Sequence, residues 1–206
     1  MAGKPELLYD HYKDSFEQIK LNILKRERYF GVATILIFTS MFSMLNPTYI
    51  QEISNTLSKQ KLGIDLKLAF YTINSFLVFF SLWFLIRYFQ CVLIIENLYS
   101  YIHNIESKLN LLLKDYEISR EGKSYLQSYP LLKSSIHFFY FTIYPSLVLM
   151  ASSIKLYWEI REAQSTPPLA LVFDILCLVI IIIMTLLYLS WIHFKDFKKS
   201  KESKRG

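Results

Sequence analysis

Two ionisable residues fall inside strongly apolar stretches of this sequence, and they are the first candidates for chemistry. Asp174 lies about six residues into the apolar run that starts at Pro168, and Lys155 lies near the end of the preceding run. A charged side chain at the centre of a membrane span costs roughly 2.5–3.5 kcal/mol, so such a residue is a functional candidate. Because the connection between the two runs is short, we expect antiparallel helices that place Lys155 and Asp174 at a similar depth.

Two interpretations of this intramembrane polar pair stay open. In the first, Lys155 and Asp174 form a polar element of an ion path or a gate. In the second, they form a structural ion pair, or Lys155 extends toward the headgroups while water reaches a shallow Asp174. Further polar residues in the apolar runs, among them Asn74 and Ser43, are of the kind that holds membrane helices together.

Sequence patterns of known catalytic sites are missing. No GxSxG, HExxH, P-loop or Rossmann pattern occurs, and no cluster of His, Asp, Glu or Cys falls at one membrane depth. The two cysteines, Cys91 and Cys177, have no motif spacing, which argues against a structural disulfide or a zinc site. We therefore predict a non-enzymatic protein with no catalytic residues, no metal site and no cofactor.

The composition predicts that these residues belong to an integral membrane protein. The chain is 53% hydrophobic and only 19% charged, which is too apolar for an ordinary soluble domain. Its apolar residues gather into four runs, and a membrane span needs roughly 20 such residues. We predict an all-α fold, a four-helix transmembrane bundle with a helical cytoplasmic extension, in contact with the lipid bilayer.

The distribution of Lys and Arg predicts the orientation in the membrane. Eighteen of the 23 basic residues fall in the N-terminal segment, the central loop with its flanks, and the C-terminal tail. Because cytoplasmic loops carry the excess of Lys and Arg, we expect the N and C termini to be cytoplasmic. The net charge of +6 then reflects topology, and we expect no direct nucleic-acid binding. The basic tail is predicted to be solvated and disordered, with an anionic-lipid contact as the alternative.

The predicted segments follow one another in chain order. They are a cytoplasmic amphipathic helix (1–28), the first span (29–46), an external loop (47–66), the second span (67–87), a cytoplasmic helical extension (88–134), the third span (135–158), a short external loop (159–167), the fourth span (168–193) and a basic cytoplasmic tail (194–206).

The second span is predicted to continue as a helix into the cytoplasm. Beyond Arg87, apolar residues recur at alternating steps of three and four, which is the spacing of a coiled-coil packing surface. We expect an N-terminal apolar stripe that includes Tyr12 and Ile19 to pack on this surface, with an interfacial helix on the membrane as the alternative. The spacing leaves open whether the surface is filled within one chain or between chains. This cytoplasmic packing seam comprises Ile95, Leu98, Ile102, Ile105, Leu109 and Leu112.

The architecture resembles small membrane subunits of bacterial anti-phage systems. The resemblance rests on the size, the four-pass plan, the basic amphipathic N-terminus, the helix ENLYSYIHNIESKLNLLL beyond the second span and the following SREGKSYLQSYP. The nearest comparisons are the membrane subunit of the Kiwa defence system and the membrane accessory proteins of some RNA-targeting CRISPR systems. The resemblance implies a bacterial inner-membrane protein that senses or executes a response to phage together with a cytosolic protein. It includes no diagnostic motif, so it assigns no functional residues.

Two functions from different classes follow from these features. The first is a homo-oligomeric inner-membrane subunit that docks a cytosolic protein partner and couples it to the bilayer. The second is a small oligomeric ion channel or membrane-permeabilising effector that uses Asp174 and the polar residues of the first two spans. The scarcity of Gly and Pro breaks, and the lack of an internal repeat, disfavour a carrier. We favour the docking subunit.

Overall fold

The computed structural model describes residues 4–45, 49, 52, 56, 69–112, 138–164 and 166–203. The predicted external loop 47–66 is therefore described only at Tyr49, Glu52 and Thr56, and residues 113–134 of the predicted extension lie outside the described part. The elements in the described part are all helical, which confirms the predicted all-helical secondary structure. They are α1 (Lys4–Leu45), α2 (Ala69–Leu112), a π-helical turn (Phe139–Ile143), α3 (Tyr144–Arg161) and α4 (Pro168–Ser203).

Three helical segments are long and apolar enough to cross a membrane: Tyr71–Leu112, Phe139–Arg161 and Pro168–Trp191. They contain most of the predicted second, third and fourth spans. The predicted first span, 29–46, coincides with the end of α1 and is not one of the three. The apolar part of α1 that the structure describes begins at Phe30 and ends with the helix, which leaves fewer than the roughly 20 residues of a typical span. The first span stays a prediction.

Helix α2 is much longer than a membrane is thick. Its 44 residues contain neither Gly nor Pro, the two residues that most destabilise a helix interior. At 1.5 Å per residue the helix is about 66 Å long, whereas the hydrocarbon core of a bilayer measures about 30 Å. About half of α2 therefore lies outside any membrane that it crosses.

The chain forms two compact units, and α1 and α2 contribute to both. Unit 1 comprises Met1–Tyr29 and Arg87–Phe138, and unit 2 comprises Phe30–Ile86 and Phe139–Gly206. The candidate spans Phe139–Arg161 and Pro168–Trp191 lie wholly in unit 2, whereas Tyr71–Leu112 begins in unit 2 and continues from Arg87 into unit 1. The candidate sites are therefore described unit by unit.

Pro145 determines the local structure at the start of α3. Proline has no N–H to donate, and its ring clashes with the carbonyl of the preceding turn. The chain widens into the π-helical turn Phe139–Ile143 immediately before Pro145, and a π-turn is a common way to absorb such an interruption. The helical path therefore continues through Pro145, with Phe141 and Tyr144 buried on either side of the junction.

Two helices extend past the ends of the predicted spans. Helix α3 ends at Arg161 and therefore includes Glu159, the first residue of the predicted external loop 159–167. Helix α4 continues to Ser203, so the backbone of the predicted tail is helical up to that residue. The tail is rich in Lys and contains no Gly or Pro before Ser203, and such a sequence extends a helix readily.

Candidate functional site: a buried polar cluster and an apolar helix pair

A buried polar cluster in unit 2 connects all four of its helices, and Asn74 of α2 lies at its centre. Asn74 Nδ2 donates to Glu159 Oε1 at 3.1 Å and to Asp174 Oδ2 at 3.2 Å. Asn74 Oδ1 accepts from Lys155 Nζ at 3.1 Å and from Ser43 Oγ of α1 at 3.3 Å. One amide side chain therefore makes hydrogen bonds to α1, α3 and α4.

The structure brings Lys155 and Asp174 into this one cluster, but they do not form the ion pair. Lys155 Nζ lies 3.2 Å from Glu159 Oε1, and both side chains are almost fully buried. Asp174, 1% exposed, is connected to Lys155 through the Asn74 amide. The predicted pair is thus a cluster of three charged side chains with a neutral residue between them.

The position of each residue within its helix explains why the cluster forms at one depth. Asn74 and Asp174 follow the starts of α2 and α4 by five and six residues, and Lys155 precedes the end of α3 by six. At 1.5 Å per residue, each lies roughly 8–9 Å from the end of its helix. The cluster therefore lies near the end of unit 2 that carries the α3–α4 connection.

The chemistry available to this cluster is limited by the space around it. The adjoining cavity measures about 20 Å³ and is lined by residues of all four helices, with Ser40, Ser81, Ser152 and Lys155 as its polar members. A cavity of that size has room for about one water molecule. This cavity therefore suits the positioning of helices and the binding of very small ligands.

Metal binding finds no support in the described residues. They contain no group of three or more His, Cys, Asp or Glu side chains that could hold a metal ion. Cys91 and Cys177 are both buried and both free.

Glu159 is the member of the cluster that sequence reasoning missed. It is the first residue of the predicted loop 159–167, and a charged residue close to a connection is usually solvated. Its spacing from Lys155 was the available signal, because residues four apart on a helix lie on the same face. Had α3 been extended by one turn, the pairing of Lys155 with Glu159 would have followed.

In unit 1, the predicted packing seam lies against the N-terminal part of α1 of the same chain. The cytoplasmic location of the seam stays a prediction. Ile95 of the seam is also buried, whereas Leu112 is 47% exposed and lies at the uncovered end. The buried cluster comprises Tyr12, Ile19, Ile102, Ile105 and Leu109, with Leu8, Phe16, Ile23, Leu98 and Tyr99 packed against it.

A buried acid fixes the alignment of these two helices. The Tyr12 hydroxyl donates to Glu106 Oε1 at 3.3 Å, and His103 Nδ1 lies 3.5 Å from Glu106 Oε2. Because Tyr12 is near the start of α1 and Glu106 is near the end of α2, this contact places those two helix ends side by side. Both oxygens of the buried carboxylate have partners.

No protein-family model, curated protein or solved structure matches this chain. The resemblance to membrane subunits of anti-phage systems therefore stays a prediction.

Large apolar side chains remain exposed at the same end of unit 1. Leu111 is 78% exposed and Leu7 is 57% exposed, while Tyr9 and Leu112 are each 47% exposed. Leu7 and Tyr9 belong to the start of α1, and Leu111 and Leu112 to the end of α2. We call these four residues the apolar end of unit 1.

Proposed function

We propose that this protein is a four-pass membrane subunit, without catalytic activity of its own, that docks a soluble protein partner through the apolar end of unit 1. The observation that carries the proposal is the exposure of Leu7 and Leu111. Large apolar side chains exposed to water at one end of a unit are typical of a protein-binding site. The partner is inferred to present an apolar helix or groove to these side chains.

The length of α2 argues that lipid is not what covers this surface. From Arg87, where the second span is predicted to leave the membrane, to Leu111 the helix rises about 36 Å at 1.5 Å per residue. The headgroup layer adds only about 5–8 Å on each side of the hydrocarbon core. Leu111 would therefore lie far beyond the bilayer if α2 crosses it along the normal, and a protein is the partner that can reach it.

The packing of α1 supports the predicted first span (29–46), which brings the number of spans in this proposal to four. From Phe30 onward α1 belongs to unit 2, where the Phe30 ring lies 4.4 Å from that of Tyr144. Its outward face carries Ile35, Phe38 and Phe42, which are 66%, 70% and 49% exposed. An apolar face of this kind beside candidate spans suits contact with lipid. An even number of spans also places both termini on one side, as the distribution of Lys and Arg predicts.

The alternative function, an oligomeric channel, has less support. An ion path needs polar groups that face a hydrated lumen. In unit 2 the polar groups of Asn74, Lys155 and Glu159 face one another and form hydrogen bonds. This pattern is that of a polar cluster that holds helices together.

We extend the proposal to a homo-oligomer in a bacterial inner membrane that acts as a sensor or effector in anti-phage defence. The support for this extension is the resemblance of the architecture to anti-phage membrane subunits. In such a role, a partner docked on unit 1 would be held close to the bilayer, where a change in the membrane could reach it through α2.

A photo-crosslinking experiment tests the docking proposal. A photoreactive amino acid is placed at Leu111 of the full chain in its native membranes, and at Lys108 as the control. Lys108 is exposed on the same stretch of α2 but does not belong to the apolar end. We expect Leu111 to give one discrete product with a soluble protein and Lys108 to give little of it.

The Leu7→Glu substitution makes the experiment specific for the apolar end. Leu7 is exposed, so a carboxylate there leaves the packing of unit 1 intact while it adds charge to the proposed contact. We expect the Leu111 product to be lost in this variant. A product that contains two copies of this 24.4 kDa chain would assign the surface to self-association, and equal products from Leu111 and Lys108 would argue against any defined contact.

A further inference from the structure

The polar cluster of unit 2 contains more negative than positive charge. Lys155 is its only base, and the negative charge of Glu159 balances the positive charge of Lys155 in their ion pair. Asp174 then has only neutral groups in hydrogen-bonding contact, since its Oδ2 accepts from the Asn74 amide. A buried carboxylate without a compensating charge costs several kcal/mol, so the cluster as it stands is one positive charge short.

Two oxygen atoms at this place have unused hydrogen-bonding capacity. Asp174 is 1% exposed, and its Oδ1 has no hydrogen-bond partner within the described residues. Ser75 is within side-chain hydrogen-bonding reach of Asp174, and Ser75 Oγ has no other partner in the described part of the chain. A carboxylate oxygen and a neighbouring hydroxyl oxygen can share a proton or act together as ligands of a small cation.

We propose that Asp174 Oδ1 and Ser75 Oγ bind one positive charge, carried by a proton or by a monovalent cation. The bound charge makes the cluster neutral and uses lone pairs of both oxygens that no other donor occupies. Every ionisable or polar group that faces Asp174 is neutral or already engaged: Glu159 with Lys155, the Asn74 amide with four partners, and Cys177 as a free thiol on the same helix.

The site lies close to the end of α4 that carries the α3–α4 connection. Asp174 is six residues from the start of α4, roughly 9 Å along the helix axis. A charge bound there ties α4 to α2, because Asp174 and Ser75 belong to different helices. Loss of that charge leaves Asp174 ionised and uncompensated between them. Occupancy of the site therefore controls how firmly α4 packs on α2.

Thermal unfolding of the full chain in lipid nanodiscs tests the site, with fluorescence of the three Trp residues as the signal. The midpoint is measured against pH, and in NaCl, KCl or choline chloride at one ionic strength. If a proton is bound, the folded protein holds it more tightly than the unfolded chain. The folding equilibrium constant then falls by up to about tenfold per pH unit as the pH rises through the window in which only the folded protein is protonated.

If a cation is bound, the midpoint is higher in NaCl or KCl than in choline chloride, because a ligand that binds only the folded state stabilises it by mass action. Asp174→Asn is expected to fold and to lose whichever dependence the wild type shows, since an amide needs no compensating charge. Ser75→Ala keeps the carboxylate and is expected to weaken the same dependence. Glu162→Gln removes an exposed acid nearby and serves as the control, which is expected to keep the same dependence on pH or cation as the wild type.

Infrared spectroscopy separates the two sources of charge. A bound proton gives the carbonyl stretch of a protonated carboxyl group that disappears in Asp174→Asn, and a bound cation gives no such band. The proposal is overturned by a wild-type midpoint that depends on neither pH nor cation, by an Asp174→Asn protein that keeps the full dependence, or by failure of Asp174→Asn to fold.

Discussion

At the scale of single residues, the interior of unit 2 depends on the bonding capacity of one amide. An Asn side chain has two N–H donors and a carbonyl oxygen that can accept two hydrogen bonds. Asn74 uses all four, with Lys155 and Ser43 as donors and Glu159 and Asp174 as acceptors. An ionised Asp has no donor and Ser has a single donor, so either replacement loses part of the set.

Replacement of Asn74 by Leu is expected to destabilise the folded protein. Hydrogen bonds between membrane helices are worth roughly 0.6 kcal/mol each, so the loss of four amounts to about 2–3 kcal/mol. Unfolding in mixed micelles with increasing denaturing detergent measures the change. Thr39→Ala is the control, because Thr39 is an exposed polar residue of α1 in the same unit and its replacement should change the stability by less than about 0.5 kcal/mol. Similar losses in both variants would show that the hydrogen bonds of Asn74 carry no special weight.

The Lys155–Glu159 pair is predicted to behave as a coupled unit. Removal of one member of a buried ion pair leaves the other charge uncompensated and typically costs about 3–5 kcal/mol. We therefore expect Lys155→Met to be strongly destabilising and the double variant Lys155→Met with Glu159→Gln to be less so. The same detergent titration, carried out on both single variants and the double variant, gives the coupling free energy. Strictly additive losses would mean that the pair contributes nothing as a pair.

The cluster could be predicted only in part, for reasons that differ between its residues. Lys155 and Asp174 stand out because charges are rare in apolar runs, and their shared depth follows from the short connection between the runs. Asn74 was recognised as a residue that joins helices, but no pattern states which helices a single amide will reach. Glu159 was missed because a charge near the end of a helix is usually solvated. One additional turn of α3 places Glu159 in a buried part of the helix instead of in the loop.

At the scale of elements, the seam on α2 shows what periodicity can and cannot specify. Apolar residues spaced three and four apart lie on one face of a helix, so the buried face of α2 beyond Arg87 could be predicted. Its partner on α1 carries the same spacing and was identified for that reason. The π-helical turn before Pro145 could not be predicted, because a proline in an apolar run is compatible with a kink, a break or a widened turn.

The seam is expected to hold unit 1 together, and Ile102 tests this. Ile102 is fully buried, and truncation of a buried Ile to Ala costs about 2–5 kcal/mol. Hydrogen exchange of the full chain should show faster exchange of backbone amides in residues 8–23 and 98–109 in Ile102→Ala. Ser107→Ala changes an exposed residue on the same helix and should leave the exchange rates unchanged. Unchanged protection in Ile102→Ala would mean that contacts other than the seam stabilise this unit.

At the scale of the whole molecule, the number of spans decides the sidedness of the termini. Within the described residues, α2, α3 with the π-helical turn before it, and α4 contain segments that are long and apolar enough to cross a membrane, and α1 is the helix in question. Composition could identify the three because their apolar runs are long, whereas the run in α1 follows a charged helix and contains several Ser and Thr residues. If α1 crosses as well, both termini lie on one side. If it does not, they lie on opposite sides.

Single cysteines placed along the full chain distinguish these two topologies. We expect Ala2→Cys and Ser203→Cys to resist a membrane-impermeant maleimide in intact cells and to react after permeabilisation, because both ends are predicted to be cytoplasmic. Ser58→Cys and Thr166→Cys, in the two predicted external loops, should react without permeabilisation. The unmodified chain provides the blank, since its two cysteines are buried. Labelling of Ala2→Cys and Ser58→Cys from the same side would show that α1 does not cross. In that case the N-terminal segment and the loop 47–66 would lie on the same side of the bilayer. The side of the membrane on which the docking surface of unit 1 lies would then have to be determined again.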